Sequence, residues 1–360
     1  MIDERDKPIS FVPYVHYAQL ISNIGFSSTA IFCFILIYLT MFGVTRNFGT
    51  YKYLLILFPV FGIFFATVEF TLYPNAYSHN DGYLFYSTSR PFGLGRDAVT
   101  CLLAFFTGVY ASTISMLAVQ FLYRYWAIFS EAKLRFFKGW RFSICLIYSF
   151  FFGLQWSMGL YHFDKIDSFS RNVFDLEMLQ KYSVDMTEVS GMALVVHDAG
   201  GNIRWWNISC TLNMTFIILV QYIIIFYCAI RMYLEMNEKI QLLSPSLRNL
   251  HKQFFKTLVL QIVTPTVTLF SPVMVVIYLP FFNLDVDLPT GVFLCSFTLY
   301  PAMDAIIVMY VVRDYRKAVK SMLKNAVDNI QAWLNSADND ETTAGTRTNN
   351  EYVPVVLKLT

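Results

Sequence analysis

The stretch Gln120-Phe121-Leu122-Tyr123-Arg124-Tyr125-Trp126-Ala127-Ile128 closes a long apolar segment with an arginine set between two tyrosines. An ionisable group at such depth is costly in hydrocarbon, so it is functional by default. Arg124 therefore predicts the end of a membrane-spanning helix, and the rest of the chain is laid out from it. Of the 360 residues 56% are hydrophobic and only 14% charged, with a mean hydropathy of +0.47; a soluble domain carries about a quarter charged residues. Repeated apolar runs of about 20 residues, each one bilayer thick, favour a single helical bundle over several soluble domains.

Seven spans follow from the runs: 16–42, 52–73, 97–129, 140–162, 203–236, 254–282 and 290–312. The fold class is an all-α membrane protein, a seven-transmembrane bundle over 16–313 behind a short N-terminus, 1–15. The segments 74–96 and 163–202 read as polar loops; the second carries seven acids and the Gly200-Gly201 pair. Pro265, Pro272 and Pro280 fall in the sixth span and Pro301 in the seventh, where they make bending points. After the last span, Tyr315, Val319, Leu323, Val327, Ile330 and Trp333 recur at helical spacing with lysines and arginines on other faces. This predicts an amphipathic helix over 314–335 on an anionic leaflet, followed by a disordered tail, 336–360, rich in Asp, Asn and Thr.

Lysines and arginines gather on one side. The loops that share a side with Arg124 hold 17 of them and the opposite side 8, which puts the N-terminus outside and the C-terminus inside. No basic signal peptide begins the chain, since Met1 to Lys7 holds three acids.

Enzymatic chemistry has little support. His16, His79, His162, His197 and His251 are far apart in sequence, so no metal set is expected, and no phosphate-cradling loop or zinc-finger spacing occurs. No cofactor and no nucleic acid are implied. The six cysteines show no paired spacing and read as small buried hydrophobes. Cys101 and Cys210 make the one candidate bridge, on the outer side.

Four motifs in order carry a resemblance: Gly49-Thr50-Tyr51-Lys52-Tyr53-Leu54; Tyr123-Arg124-Tyr125; Leu258-Val259-Leu260-Gln261 with Pro265; and Phe297-Thr298-Leu299-Tyr300-Pro301-Ala302-Met303-Asp304 leading to Arg313-Asp314-Tyr315-Arg316. Together they resemble the Str family of nematode seven-transmembrane chemoreceptors, from the first span to Arg316. The resemblance implies a G-protein-coupled receptor, in the ciliary plasma membrane of a chemosensory neuron, that recognises a small odorant and signals through a heterotrimeric G-protein. Tyr123-Arg124-Tyr125 would then stand where the wider receptor class has Asp-Arg-Tyr, without the acid that would hold Arg124 by a local ion pair. Pro265, Pro301 and Asp304 would belong to the switch, and Arg313 and Arg316 to the G-protein face. Asp304, an intramembrane carboxylate, should face the bundle interior. Glu69 either does the same or reaches interfacial water.

Stepping back from Arg124 at helical spacing gives Thr113, Tyr110 and Phe106 on one face, with Phe106 about 27 Å away. At matching depth stand Asn207, Cys210 and Asn213 on the fifth span, Met274 and Tyr278 on the sixth, and Phe293 and Phe297 on the seventh. Such a lining is largely apolar with a few hydrogen-bonding groups, and suits a small neutral ligand. The sequon at Asn207 lies too near the membrane to carry a glycan. A carrier or ligand-gated channel with seven spans is the alternative, but too few buried polar groups are present to draw a water path.

Overall fold

A computed structural model describes residues 10–44, 48–80, 82–282 and 287–348; Arg5, Lys7, Arg46 and residues 349–360 lie outside that set. Among the described residues six helices are long and apolar enough to cross a membrane. They are α1 (Val12–Gly43), α2 (Tyr51–Leu72), α3 (Arg96–Phe129), α4 (Phe142–Phe163), α6 (Trp205–Lys239) and a pair, α7 (Pro245–Pro265) and α8 (Ser271–Tyr278), that share the sixth span. A short helix, α5 (Ser168–Glu177), follows α4. The seventh span is broken: α9 (Gly291–Cys295), one tight turn, then α10 (Tyr300–Val311).

Apolar residues surround α3, and a helix of that kind belongs in the middle of a bundle. Of an 18-residue apolar stretch of α3, 83% is buried, against 24 to 44% in the other five long helices. Gly108 and Gly153 let α3 and α4 touch: a Cβ on Gly153 would lie 2.0 Å from Ser112 Oγ and 2.7 Å from Gly108 O. The outer helices turn large side chains away from the protein, as with Ile31 and Phe34 on α1 and Leu212, Phe216, Leu219 and Ile223 on α6. In lipid that outward face is the stable one.

The sixth span begins at Pro245 rather than Phe254. Ser244 accepts a hydrogen bond from the Leu247 amide and Pro245 occupies the first turn, a start signal that carries the helix into polar sequence. Directly after Pro265 the backbone widens into a π turn, Thr266–Phe270, before α8 resumes with Pro272 in its first turn. The break in the seventh span is seated on α1, where the Thr29 hydroxyl donates to the Thr298 carbonyl.

The polar loops contain more order than their composition suggests. β1 (Asn75–His79), β2 (Gly82–Ser87), β3 (Ser190–Val195) and β4 (Asp287–Leu288) form one antiparallel sheet in the order β3-β2-β1-β4. Tyr83 pairs with Leu194 and Phe85 with Met192. Alternate residues serve two cores. Ala76, Tyr83, Phe85, Met192 and Leu194 face the bundle, while Tyr77, Leu84, Tyr86, Ala193 and Val195 pack with Phe11, Phe174, Met178 and Tyr182 in a second cluster. The sheet is thus an inner layer, buried on both sides.

At the opposite end Val312 is extended and turns the chain into α11 (Arg313–Thr348). Tyr315 anchors the turn, fully buried, with its Oη 2.8 Å from Thr40 Oγ1 and its ring stacked on Phe48. Leu323, Val327, Ile330 and Trp333 form the exposed apolar stripe of an amphipathic helix. The helix continues past 335 to Thr348, so residues 336–348 are helical where a disordered tail was expected.

Candidate functional site

Under the sheet, between α3, α4, α6 and α8, lies a cavity of about 80 Å³. Helix α3 contributes Phe106, Thr107 and Tyr110; α4 contributes Trp156 and Leu160; Met214, Val273, Val276 and Ile277 close the far side. Leu294 and Phe297 come from the seventh span, and Ala76, Tyr83 and Phe85 form the roof. Aromatic contacts fix the walls. Tyr110 meets Trp156 edge-on at 6.1 Å and stacks on Phe297 at 5.7 Å, and Phe106 stacks on Phe65 at 4.8 Å.

The polar groups of the wall divide in two. Thr107 Oγ1 donates to the Ala104 carbonyl at 2.7 Å, and the Tyr83 hydroxyl hydrogen-bonds Asp164. Tyr110 Oη and Trp156 Nε1 are buried and have no hydrogen-bond partner among the described residues.

The opposite end is built around Arg124, which is 6% exposed. Its guanidinium lies between two rings, Tyr51 of α2 at 3.4 Å and Phe254 of α7 at 3.6 Å. Nε and Nη2 find no hydrogen-bond partner among the described residues, and a side-chain hydrogen bond to Tyr51 accompanies the stacking. A cation desolvated against aromatic faces gains about 2 kcal/mol or more. The missing acid of Tyr123-Arg124-Tyr125 is thereby replaced by a clamp that spans three helices. Tyr123 packs on Tyr51 and Phe137, and Tyr125 on Phe129 and Tyr227.

Other ties join the sixth span to its neighbours. Gln261 of α7 hydrogen-bonds Asp304 of α10, which is buried. The Arg313 amide donates to Gln253 Oε1 at 2.8 Å, and Arg313 lines a polar cleft with Ser246, Asn249 and Lys317. Arg316 is exposed one turn further on. Pro301 sits in the first turn of α10 against Gly62, where a Cβ would come within 2.4 Å of it.

The model of the family described as serpentine type 7TM GPCR chemoreceptor Str matches residues 18–320. The chain belongs to the Str family. The G-protein coupled receptor str-33 of Caenorhabditis elegans is 33% identical over 311 residues, which cover 85% of this chain and 90% of that protein. Serpentine receptor class r-10 of the same organism is 29% identical over 294 residues, 79% of this chain and 85% of the relative. Among solved structures, squid rhodopsin superposes with a TM-score of 0.56 at 13% identity, covering 88% of this chain and 82% of that one. At that identity the likeness is one of fold. The chain is therefore a seven-transmembrane G-protein-coupled receptor of the Str chemoreceptor family, and a multi-pass membrane protein.

In this Str receptor the residues expected at the ligand face do not all meet. Phe106, Tyr110 and Phe297 line the cavity. Thr113, one turn deeper, turns its hydroxyl back to the Tyr110 carbonyl. Asn207 is a strut instead: its Nδ2 donates to the Phe163 carbonyl at 3.0 Å and reaches Asp164 and the Ala193 carbonyl at 3.4 Å. Its burial leaves no room for a glycan. Cys210 hydrogen-bonds Asp164 and is free, as is exposed Cys101, so they form no bridge. Asn213 pairs with Gln155 at 2.8 Å between α4 and α6, and Tyr278 Oη lies 2.5 Å from Thr215 Oγ1. Met274 packs on the core without lining the cavity, and the side chain of Phe293 lies outside the described set. Glu69 does not reach interfacial water; it is fully buried.

Trp156, Leu160 and the sheet residues escaped the helical-face reasoning. The fourth span forms part of the wall, and Tyr83 to Tyr86 lie in a strand where a loop is expected. Asp164, just past α4, was missed too. Burial pushes its carboxyl up to about 7, against hydrogen bonds from Cys210, Asn207 and Tyr83 and the nearby charge of Arg204.

Proposed function

We propose that this receptor is a chemosensory, olfactory receptor whose ligand is a small, neutral, volatile molecule held in the cavity beneath the sheet, and that it activates a heterotrimeric G-protein at the Arg124 end. One observation carries the reading: a small apolar cavity, walled by five spans and free of charged lining residues, lies across the bundle from a buried, clamped arginine. The excess of basic residues around Arg124 supports an orientation with the sheet outside and α11 on the inner leaflet. The description of the matched family as a chemoreceptor supports a chemosensory cell as the site of action, and the reading places the receptor in the ciliary membrane of a chemosensory neuron.

Agonist would favour a pre-existing state in which α7, hinged at the π turn after Pro265, leaves Arg124 and opens a groove for the G-protein; its energy enters only through differential affinity for the two states. Thr266–Phe270 is where that span leaves the α ladder for i to i+5 bonding, a departure common at functional sites. Asp304, Pro301, Arg313 and Arg316 border the moving parts.

The test is expression with a G-protein and a calcium readout against an odorant panel. Arg124→Ala is expected to reach the surface and lose the response by at least tenfold, and Val276→Phe, which fills the cavity, to lose it while keeping ligand-independent signalling. An Arg124→Ala receptor that signals at full strength from the surface would sink the arrangement.

A further inference from the structure

Just past α4, Asp164 is 1% exposed, and its carboxyl lies among side chains of β2 and α6. Tyr83, Asn207 and Cys210 donate hydrogen bonds to it, with Asn207 Nδ2 reaching Oδ1 at 3.4 Å. The other oxygen, Oδ2, has no partner among the described residues, and neither has Asn207 Oδ1, a buried acceptor of the same cluster. Buried polar atoms are nearly always hydrogen-bonded, so two idle acceptors side by side call for a proton between the groups that carry them. From β3 comes a backbone group, the Ala193 amide, which donates to the Asp164 carbonyl at 2.8 Å.

The charge nearest this carboxyl is Arg204, which acts on Asp164, Asp167 and Asp198 alike. Its Nη2 is paired with Asp167 Oδ2, while its Nη1 is buried and idle among the described residues. Asp167 is the more exposed of its partners, with 46% of its side chain accessible, and it also accepts from the Ser170 amide as the cap of α5. An exposed ion pair is worth little, whereas an ionised carboxyl in a buried site needs a cation beside it. Arg204 thus has two carboxylates to choose between. Burial holds Asp164 up to about 7 against its donors. An arrangement with Arg204 turned onto Asp164 lowers that value, so above about pH 7 each further unit favours it by up to about tenfold.

We propose that Asp164 is the binding site of a second ligand of the receptor, the proton of the outside medium, and that Arg204 passes from Asp167 to Asp164 when that proton leaves. Tyr83 carries the event to the cavity, because its hydroxyl is on Asp164 while its side chain stands in the roof. Hydrogen bonds to an ionised acceptor are shorter and stronger, so outside pH sets how firmly the roof is held. The side from which the proton comes rests on the proposed orientation, with the sheet outside; the proton site itself does not.

Infrared spectroscopy of the purified full-length receptor tests it by following the carbonyl stretch of protonated carboxyl groups from pH 5 to pH 9. The wild type is expected to lose a band with its midpoint between about pH 6 and pH 8 that Asp164→Asn lacks. Arg204→Gln removes the cation that receives the ionised group and Tyr83→Phe removes a donor to it, so each is expected to raise the midpoint by about one pH unit. Asp167→Asn frees Arg204 and is expected to lower it by as much. No band titrating in that range, or a midpoint that these three variants leave in place, overturns the inference. In cells, ligand-independent calcium signalling at matched surface level is expected to change at least threefold when outside pH steps from 6 to 8, and to stay level in Asp164→Asn. A wild-type baseline indifferent to pH overturns the proton's role as a ligand; one that answers to inside pH instead overturns the orientation. No agonist enters either measurement, so an odorant panel in which nothing binds counts against the proposed ligand site and not against this one.

Discussion

Arg124 owes its position to two rings that lie 73 residues before it and 130 after it in the chain, Tyr51 and Phe254. Of the two, Phe254 is carried by the span expected to move. Phe254→Leu keeps the volume and removes the π face, which forfeits about 2 kcal/mol, or about 30-fold in the balance between states. The expected outcome is ligand-independent signalling raised by up to that factor at matched surface level; an unchanged baseline would mean that the clamp holds nothing back. Asp164 yields a separate expectation. Its pKa near 7 stands above the ordinary 3.8, so the folded protein keeps a proton that the unfolded chain has lost between those values. The resulting stability is whole below about pH 4 and fades as pH rises through about 7. Thermal melting of the purified receptor should therefore fall from pH 5 to pH 8, and Asp164→Asn should flatten that slope. Neither residue's surroundings were readable in the sequence, because their partners are long-range: the missing acid before Arg124 was visible, the rings that replace it were not.

Elements were legible to the degree that one solvent decided them. Among the described residues six of the expected spans, including α3 with its apolar residues on every face, appear as long apolar helices, and the seventh as a broken, shorter one, since lipid imposes a single requirement on each. The start at Pro245 shows the limit: capping, not hydropathy, sets that end. The sheet was hidden for another reason. Tyr83-Leu84-Phe85-Tyr86 and Met192-Ala193-Leu194-Val195 alternate between two apolar surroundings, so they lack the apolar/polar alternation of a half-exposed strand, and they are too short to span. Their aromatic and branched residues were the available signal. The contact between α3 and α4 gives a prediction of its own. Gly153→Ala sets a methyl 2.0 Å from Ser112 Oγ, and overpacking of that kind costs about 1–3 kcal/mol. The melting temperature in detergent should drop by several degrees; an unshifted value would show that the two helices part at no cost.

At the scale of the whole molecule, the sheet draws strands from three connections, those between the second and third, fourth and fifth, and sixth and seventh spans. Phe11 adds the N-terminal segment to the same cap, its amide donating to the Lys181 carbonyl at 2.8 Å and its ring meeting Tyr77 and Tyr182. Loops joined this way are tied into one sheet, so a shift of α8 against the roof would bear on the ends of the other spans. The roof also bears on how a solute arrives. Ala76, Tyr83 and Phe85 stand over the cavity, so a ligand of the proposed apolar kind would reach it from the lipid, between the helices. A receptor fed by that route measures the concentration dissolved in the bilayer, where an apolar volatile is enriched over the aqueous phase. Across a homologous series of agonists, potency should then track oil–water partition until chain length outgrows the cavity, and recovery after washout should slow with partition even when affinity is held constant. The membrane would serve as the receptor's sampling reservoir, giving the cell a brief memory of an odour that has already left the water.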